Sequence, residues 1–204
     1  MEKLLEGYRR FRDNVWPAQR ELFETLATRG QAPKVLILGC VDSRVDPARI
    51  FDTGPGEVLT VRNVAALAPP YQPDEAYHGT SAALEFGVRV MQVQHVIVLG
   101  HGMCGGVKAL LADHDEANSP HSDFEFITPW MSLAKSLIDR SKHLKNHEER
   151  QRFCEHELIR ISIANLMTFP WIAEPVHARK LMLHGAWFDI RIGELLMVQS
   201  GARA

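Results

Sequence analysis

Two cysteines and a histidine carry a spacing that could do chemistry. Cys40 follows KVLILG, while His101 and Cys104 follow HVIVLG within the run GHGMCGG. Both preceding runs read as buried strands, and the carboxyl ends of strands in an open parallel sheet line the crevice where ligands bind. Residues 61 apart in the chain are therefore expected to converge. Two thiolates and an imidazole suit tetrahedral zinc, and three protein ligands leave a fourth position for water, the pattern of a catalytic site. Cys104 precedes a helix start, whose positive end favours the thiolate that ligation requires. Taken singly, each feature has a plainer reading: Cys40 as a core hydrophobe, His101 as a loop histidine, GHGMCGG as a flexible turn. The combination points to a metal. Beside it, Asp42 and Arg44 of CVDSR stand two residues apart with opposite charge. Alone, they would read as a surface ion pair worth at most about 1 kcal/mol.

To bring these residues together the chain needs a parallel sheet. KVLILG (Lys34 to Gly39) and HVIVLG (His95 to Gly100) are short apolar runs with β-branched residues, the mark of strands buried on both faces. EVLTV (Glu57 to Val61) is a third, after a GPG turn. Helical spacing over Thr80 to Gln92 between strands implies a right-handed crossover. An amphipathic helix runs from Pro17 to Leu26 and ends near Gly30. VKALLA begins another helix, Asp113 to Ser122 reads as a polar loop, and two longer helices are expected over Thr128 to Lys142 and His147 to Met167. The segment KLMLHGAWFDIRIGELLMVQ reads as a further strand with a hairpin-like ending. The expectation is one α/β domain over 1–204: a helical arm over 1–30, then a core over 34–198 with a central, mostly parallel sheet flanked by helices.

Composition narrows the function classes. Twenty-three basic and 25 acidic side chains give a net charge of -2, which offers no electrostatic attraction to nucleic acid or anionic membrane. No apolar run is long enough to span a bilayer. The first residues mix charges of both signs and lack the apolar stretch of a signal peptide, so a soluble, cytoplasmic protein is expected. Three cysteines make no disulfide framework.

CVDSR, RNVA (Arg62 to Ala65), SAALEFGV and GHGMCGG, in this order and spacing, resemble the β-class carbonic anhydrases. GYRRFRDNVWPAQRELFETLATRGQAP, NLMTFPWI and LHGAWFDI extend the resemblance over nearly the whole chain, nearest to the plant-type branch. It implies one zinc ion per chain on Cys40, His101 and Cys104, and reversible hydration of carbon dioxide to bicarbonate by zinc-bound hydroxide. It also implies a catalytic dyad in which Arg44 keeps Asp42 ionised and off the metal. Two thiolates cancel the formal charge of the ion, so activity is expected to rise toward alkaline pH. Substrate-binding roles are implied for Gln31, Leu59, Phe86 and Gly102. Leu59 and Phe86 stand where that branch has phenylalanine and tyrosine, and Gln31 reads equally as a solvated loop residue. Ile37 and Phe188 replace the tryptophan and tyrosine with which the type II subclass holds inhibitory bicarbonate, so a type I-like site is expected.

The resemblance further implies a homodimer or dimer-based oligomer whose N-terminal helices embrace the neighbour. For the proton shuttle, His78 and Tyr71 are candidates, whereas Cys154 and His156 read as structural. Alternatives carried forward are hydrolysis of carbon disulfide or carbonyl sulfide on the same site, a non-catalytic zinc module closed by Asp42, and a thiol enzyme using Cys40 or Cys104 as nucleophile. The last lacks a Cys-x-x-Cys pair.

Overall fold

Buried apolar runs become the middle of a sheet. The computed structural model describes residues 1–115 and 124–198. Among these the strands are β1 Val35–Cys40, β2 Val58–Asn63, β3 His95–His101, β4 Met182–Phe188 and β5 Leu195–Met197, ordered β2-β1-β3-β4-β5. β1 runs parallel to β2 and β3, and β3 parallel to β4, whereas short β5 is antiparallel. The helices are α1 Glu2–Arg10, α2 Trp16–Arg29, α3 Pro47–Ile50, α4 Gly79–Glu85, α5 Gly105–Asp115, α6 Ile127–Ser132, α7 Ser136–Ser141, α8 His147–Leu166 and α9 Pro170–His177.

Alternation along the strands sorts side chains to two faces. Leu36, Leu38, Val96 and Val98 meet Leu84 of α4 and Ile159, Ile163 and Leu166 of α8. Ile37, Leu99 and Ala186 pack on the opposite face. α8 approaches the sheet closely because Gly100 and Gly185 lack side chains: a Cβ on either would lie 2.7 Å from Ile159, and one on Gly185 would also lie 2.8 Å from the Val198 carbonyl. Asn146 starts α8 by accepting the amides of Glu148 and Glu149. Further along the same helix, Cys154 and Leu158 join Cys40, Val45, Leu67 and Cys104 in a second buried cluster at the strands' carboxyl ends.

α1 and α2 are joined through a π turn over Phe11–Val15. Pro17 has no amide to donate, so the helical ladder slips there, and the wider turn brings Phe11 and Trp16 to one side, 6.4 Å apart. No residue of this arm is buried.

The helix expected over Thr128 to Lys142 is instead two, α6 and α7. Between them the amides of Leu133, Ala134 and Lys135 donate to the carbonyls of Trp130, Met131 and Ser132, three residues back. That tighter winding keeps Met131, Ala134 and Leu137, spaced by three, all buried. α9 is not marked by periodicity and begins on Pro170, a residue suited to a first turn. α5 continues to Asp115, and the rest of the expected polar loop, 116–122, lies outside the described residues. The final strand and hairpin-like ending appear as β4 and β5.

Candidate metal centre

β1 ends on Cys40, β3 on His101, and Cys104 sits at the start of α5, so adjacent parallel strands deliver all three side chains to one point. Their ligand atoms lie within 4.8 Å of one another, and each residue is buried, at 4%, 2% and 3% exposure. Around a tetrahedral zinc, sulfur and nitrogen ligands would stand about 3.4–3.8 Å apart, given bonds of about 2.0–2.3 Å. His101 directs Nδ1 to the Gly102 carbonyl at 2.9 Å, which makes Nε2 the lone-pair atom. That Nε2 is buried and meets no hydrogen-bond partner among the described residues. An orphaned imidazole nitrogen facing two sulfurs fits the donor set of a metal centre.

Electrostatics agree. The Cys40 thiol is pulled down to about 4, chiefly because Cys104 donates a hydrogen bond to it, with burial opposing. Cys104 is pushed up, first by that same contact and then by burial, while the amides of Val107 and Gly106 work against the rise. The pair therefore holds one proton that a cation would displace. Burial disfavours a charged His101, yet the adjacent Cys40 thiolate and the Gly102 carbonyl raise it overall.

Asp42 lies beside the ligands, Oδ2 being 4.0 Å from His101 Nε2. Arg44 takes both its oxygens, Nε donating to Oδ1 at 2.9 Å and Nη2 to Oδ2 at 2.7 Å, and the Arg44 amide also reaches Oδ1 at 2.9 Å. These bonds hold the Asp42 carboxyl well below the usual carboxylate range. Arg44 Nη2 also donates to the Met103 carbonyl at 3.1 Å. Both oxygens of this carboxylate are thus committed to Arg44, which disfavours its closing a non-catalytic centre as a fourth ligand.

Arg62, within RNVA, has no role in the sequence reading, yet it organises the CVDSR loop. Its Nε donates to the Cys40 carbonyl at 2.7 Å, Nη2 to the Asp42 carbonyl at 2.6 Å, and Nη1 to Asp46 at 3.1 Å. Its place at the carboxyl end of β2, beside that of β1, was the available signal. Next to Cys40, a mostly apolar cleft of about 470 Å³ is lined by Val41, Asn63, Val64, Thr80, Ile127 and Trp130, among others.

The residues expected around substrate are not gathered here within one chain. Leu59 stands four residues before Asn63, the partner of Cys40, about 13 Å along the strand, and packs near Leu36 and Gly87. Phe86 follows α4 and is 44% exposed, and Gln31 is exposed beyond α2. Gly102 does adjoin the centre, but its amide donates to Phe188 and a Cβ there would meet Trp187 at 3.0 Å, so it packs rather than faces the cleft. His78, paired with Asp74 at 2.6 Å, and Tyr71 line a separate groove with Glu85, Arg89 and Trp171. Cys154 is wholly buried, and His156 packs on Trp187. Ile37 is buried in the cluster on the face of the sheet opposite α8, and Phe188 packs against it.

Comparison with known proteins places this geometry. The family profile described as carbonic anhydrase matches residues 35–195. Beta carbonic anhydrase 3 of Arabidopsis thaliana is 35% identical over 193 residues, covering 93% of this chain and 73% of the relative. A carbonic anhydrase of Synechococcus elongatus is 33% identical over 203 residues, covering 97% and 71%. Among solved structures, the β-carbonic anhydrase CcaA superposes with a TM-score of 0.87 at 32% identity, over 97% of this chain and 86% of that one. A tetrameric β-carbonic anhydrase of Sordaria macrospora superposes at 0.77 with 27% identity, over 98% and 93%.

Proposed function

The chain belongs to the β-class carbonic anhydrases, and from that membership we propose how its own residues carry out the reversible hydration of carbon dioxide. The observation that carries the proposal is the convergence of Cys40, His101 and Cys104 around an orphaned Nε2, beside a carboxylate already committed to Arg44. Cys40 and Cys104 as thiolates and His101 through Nε2 would hold zinc. When bound, the ion would supply the Lewis acidity that turns water into a nucleophile.

The remaining steps rest on the protein. Arg44 keeps Asp42 ionised, so its carboxylate accepts a hydrogen bond from the attacking water species and orients it. Arg62 fixes the loop that carries both Cys40 and Asp42. The apolar cleft beside Val41 and Val64 takes an uncharged, non-polar molecule such as carbon dioxide without stripping hydration from it.

Substrate contacts by Gln31, Leu59 and Phe86 require a second protomer, since these residues stand apart from the centre of their own chain. An arm without one buried residue, exposing Leu4, Leu5, Tyr8 and Phe11, supports a dimer or dimer-based oligomer. Three buried, unbridged cysteines suit a reducing compartment, in keeping with a cytoplasmic place. Metal analysis with thiol alkylation tests the centre: one zinc per chain, with Cys40 and Cys104 protected until chelation, is expected. Absence of stoichiometric metal, or equal alkylation before and after chelation, would overturn it.

A further inference from the structure

We infer that Glu155 is a positioning residue for the metal centre, one carboxylate that fixes both the amide of Cys104 and the indole lying against Gly102; this rests on the carbonic anhydrase reading. Glu155 lies on α8 and is only 4% exposed. A buried carboxylate is unfavourable unless its oxygens are satisfied. Here they are: Oε1 accepts the Cys104 amide at 3.0 Å and Gln151 Nε2 at 3.0 Å, and Oε2 accepts Trp187 Nε1 at 3.1 Å.

The segment thus held is the turn on which the centre depends. Four polar backbone groups of residues 102–104 are tied down. The Gly102 amide donates to Phe188 on β4, the Gly102 carbonyl accepts His101 Nδ1, and the Met103 carbonyl accepts Arg44 Nη2. The Cys104 amide goes to Glu155. Met103 itself has φ +57°, a left-handed conformation that a side chain adopts only when its surroundings enforce it. Without the grip on the Cys104 amide, Met103 can relax. Its carbonyl then leaves Arg44, and the Cys104 sulfur moves with the turn. Trp187 is the second arm of the clamp, because its ring edge stands 3.0 Å from where a Gly102 Cβ would be and its N–H is held by the same carboxylate. Glu155 therefore serves both a ligand and, through Met103, the Asp42–Arg44 dyad.

Glu155→Gln preserves shape but sets its NH2 group either against the Trp187 indole or against both the Cys104 amide and Gln151, so one arm of the clamp is lost in either orientation. The test compares this variant with Gln151→Ala, which shares Oε1 but does not touch the turn, in protein loaded with Co2+. The readouts are the thiolate-to-cobalt absorption band and the rate of metal release to a chromophoric chelator. Positioning predicts a shifted band and release at least about 10-fold faster in Glu155→Gln, with Gln151→Ala close to wild type. An unchanged band and release rate in a folded Glu155→Gln, or equal changes in both variants, would overturn the proposal. Should Glu155→Gln not fold, Trp187→Phe removes the indole N–H while keeping a ring: faster release supports the clamp and unchanged release overturns it. Failure of the wild type to take up cobalt would instead sink the carbonic anhydrase reading.

Discussion

Replacing Asp42 with asparagine changes one atom of the dyad and one unit of charge. The asparagine side chain can still accept from the Arg44 amide and Nε through its remaining oxygen. Its amide nitrogen, however, would face Arg44 Nη2, which donates at 2.7 Å to the oxygen that is lost. A hydrogen bond to a charged group is worth about 1.5–3 kcal/mol. If it operates in the transition state, turnover falls about 10- to 150-fold, at 1.36 kcal/mol per tenfold. Stability should change far less. Arg44 is 46% exposed at its side chain, and solvent-exposed pairs contribute about 0–1 kcal/mol. That bounds the drop in Tm at about 4 °C for a chain of this size. All three candidate ligands remain, so metal content should not change. Stopped-flow hydration alongside metal analysis and a melting curve separates these effects. Near-normal turnover with full metal would remove Asp42 from the mechanism, and loss of metal would mean that the carboxylate supports the ligands instead.

Three other perturbations probe the frame around the site. Burial and the neighbouring His95 hold His184 below the ordinary imidazole range, so the unfolded chain binds that proton more readily. Stability should then fall as pH drops through about 6.5, and His184→Gln should flatten part of that fall in melting curves; identical profiles would show that the pair is inert. Gly185→Ala sets a Cβ against Ile159 and the backbone carbonyl of Val198 and should destabilise by about 1–3 kcal/mol, whereas Gly79→Ala meets nothing within 4 Å and should melt like wild type. Equal melting of the two would contradict the close seating of α8. Deleting residues 1–30 removes no buried side chain of the protomer, so light scattering should show a smaller assembly while circular dichroism keeps the core signal. An unchanged number of chains per assembly would take the arm out of the interface.

Cys40, His101 and Cys104 were legible because two facts coincide in the sequence: apolar runs mark parallel strands, and ligand-type residues stand at or just beyond their carboxyl ends. Asp42 and Arg44 were legible because the pair is local, two residues apart. Arg62 was not, since its contacts with the Cys40 and Asp42 carbonyls depend on the register of β1 against β2. Glu155 was still less so: 51 residues separate it from Cys104, and on α8 it looks like any polar helical residue until the helix is seated on the sheet. Splitting of the expected Thr128 to Lys142 helix arises from a change to i→i−3 bonding that a 3.6-residue pattern cannot display. Gln31, Leu59 and Phe86 came from resemblance alone, and their separation from the centre of their own chain shows why no single-chain pattern would have joined them to it.

The most direct test is stopped-flow hydration of carbon dioxide across neutral to alkaline pH, on protein with quantified zinc, beside a Cys104→Ser variant. The account predicts fast hydration that rises toward alkaline pH and is abolished in the variant. A zinc-loaded wild type that leaves carbon dioxide untouched, or a variant that hydrates it equally well, would contradict it.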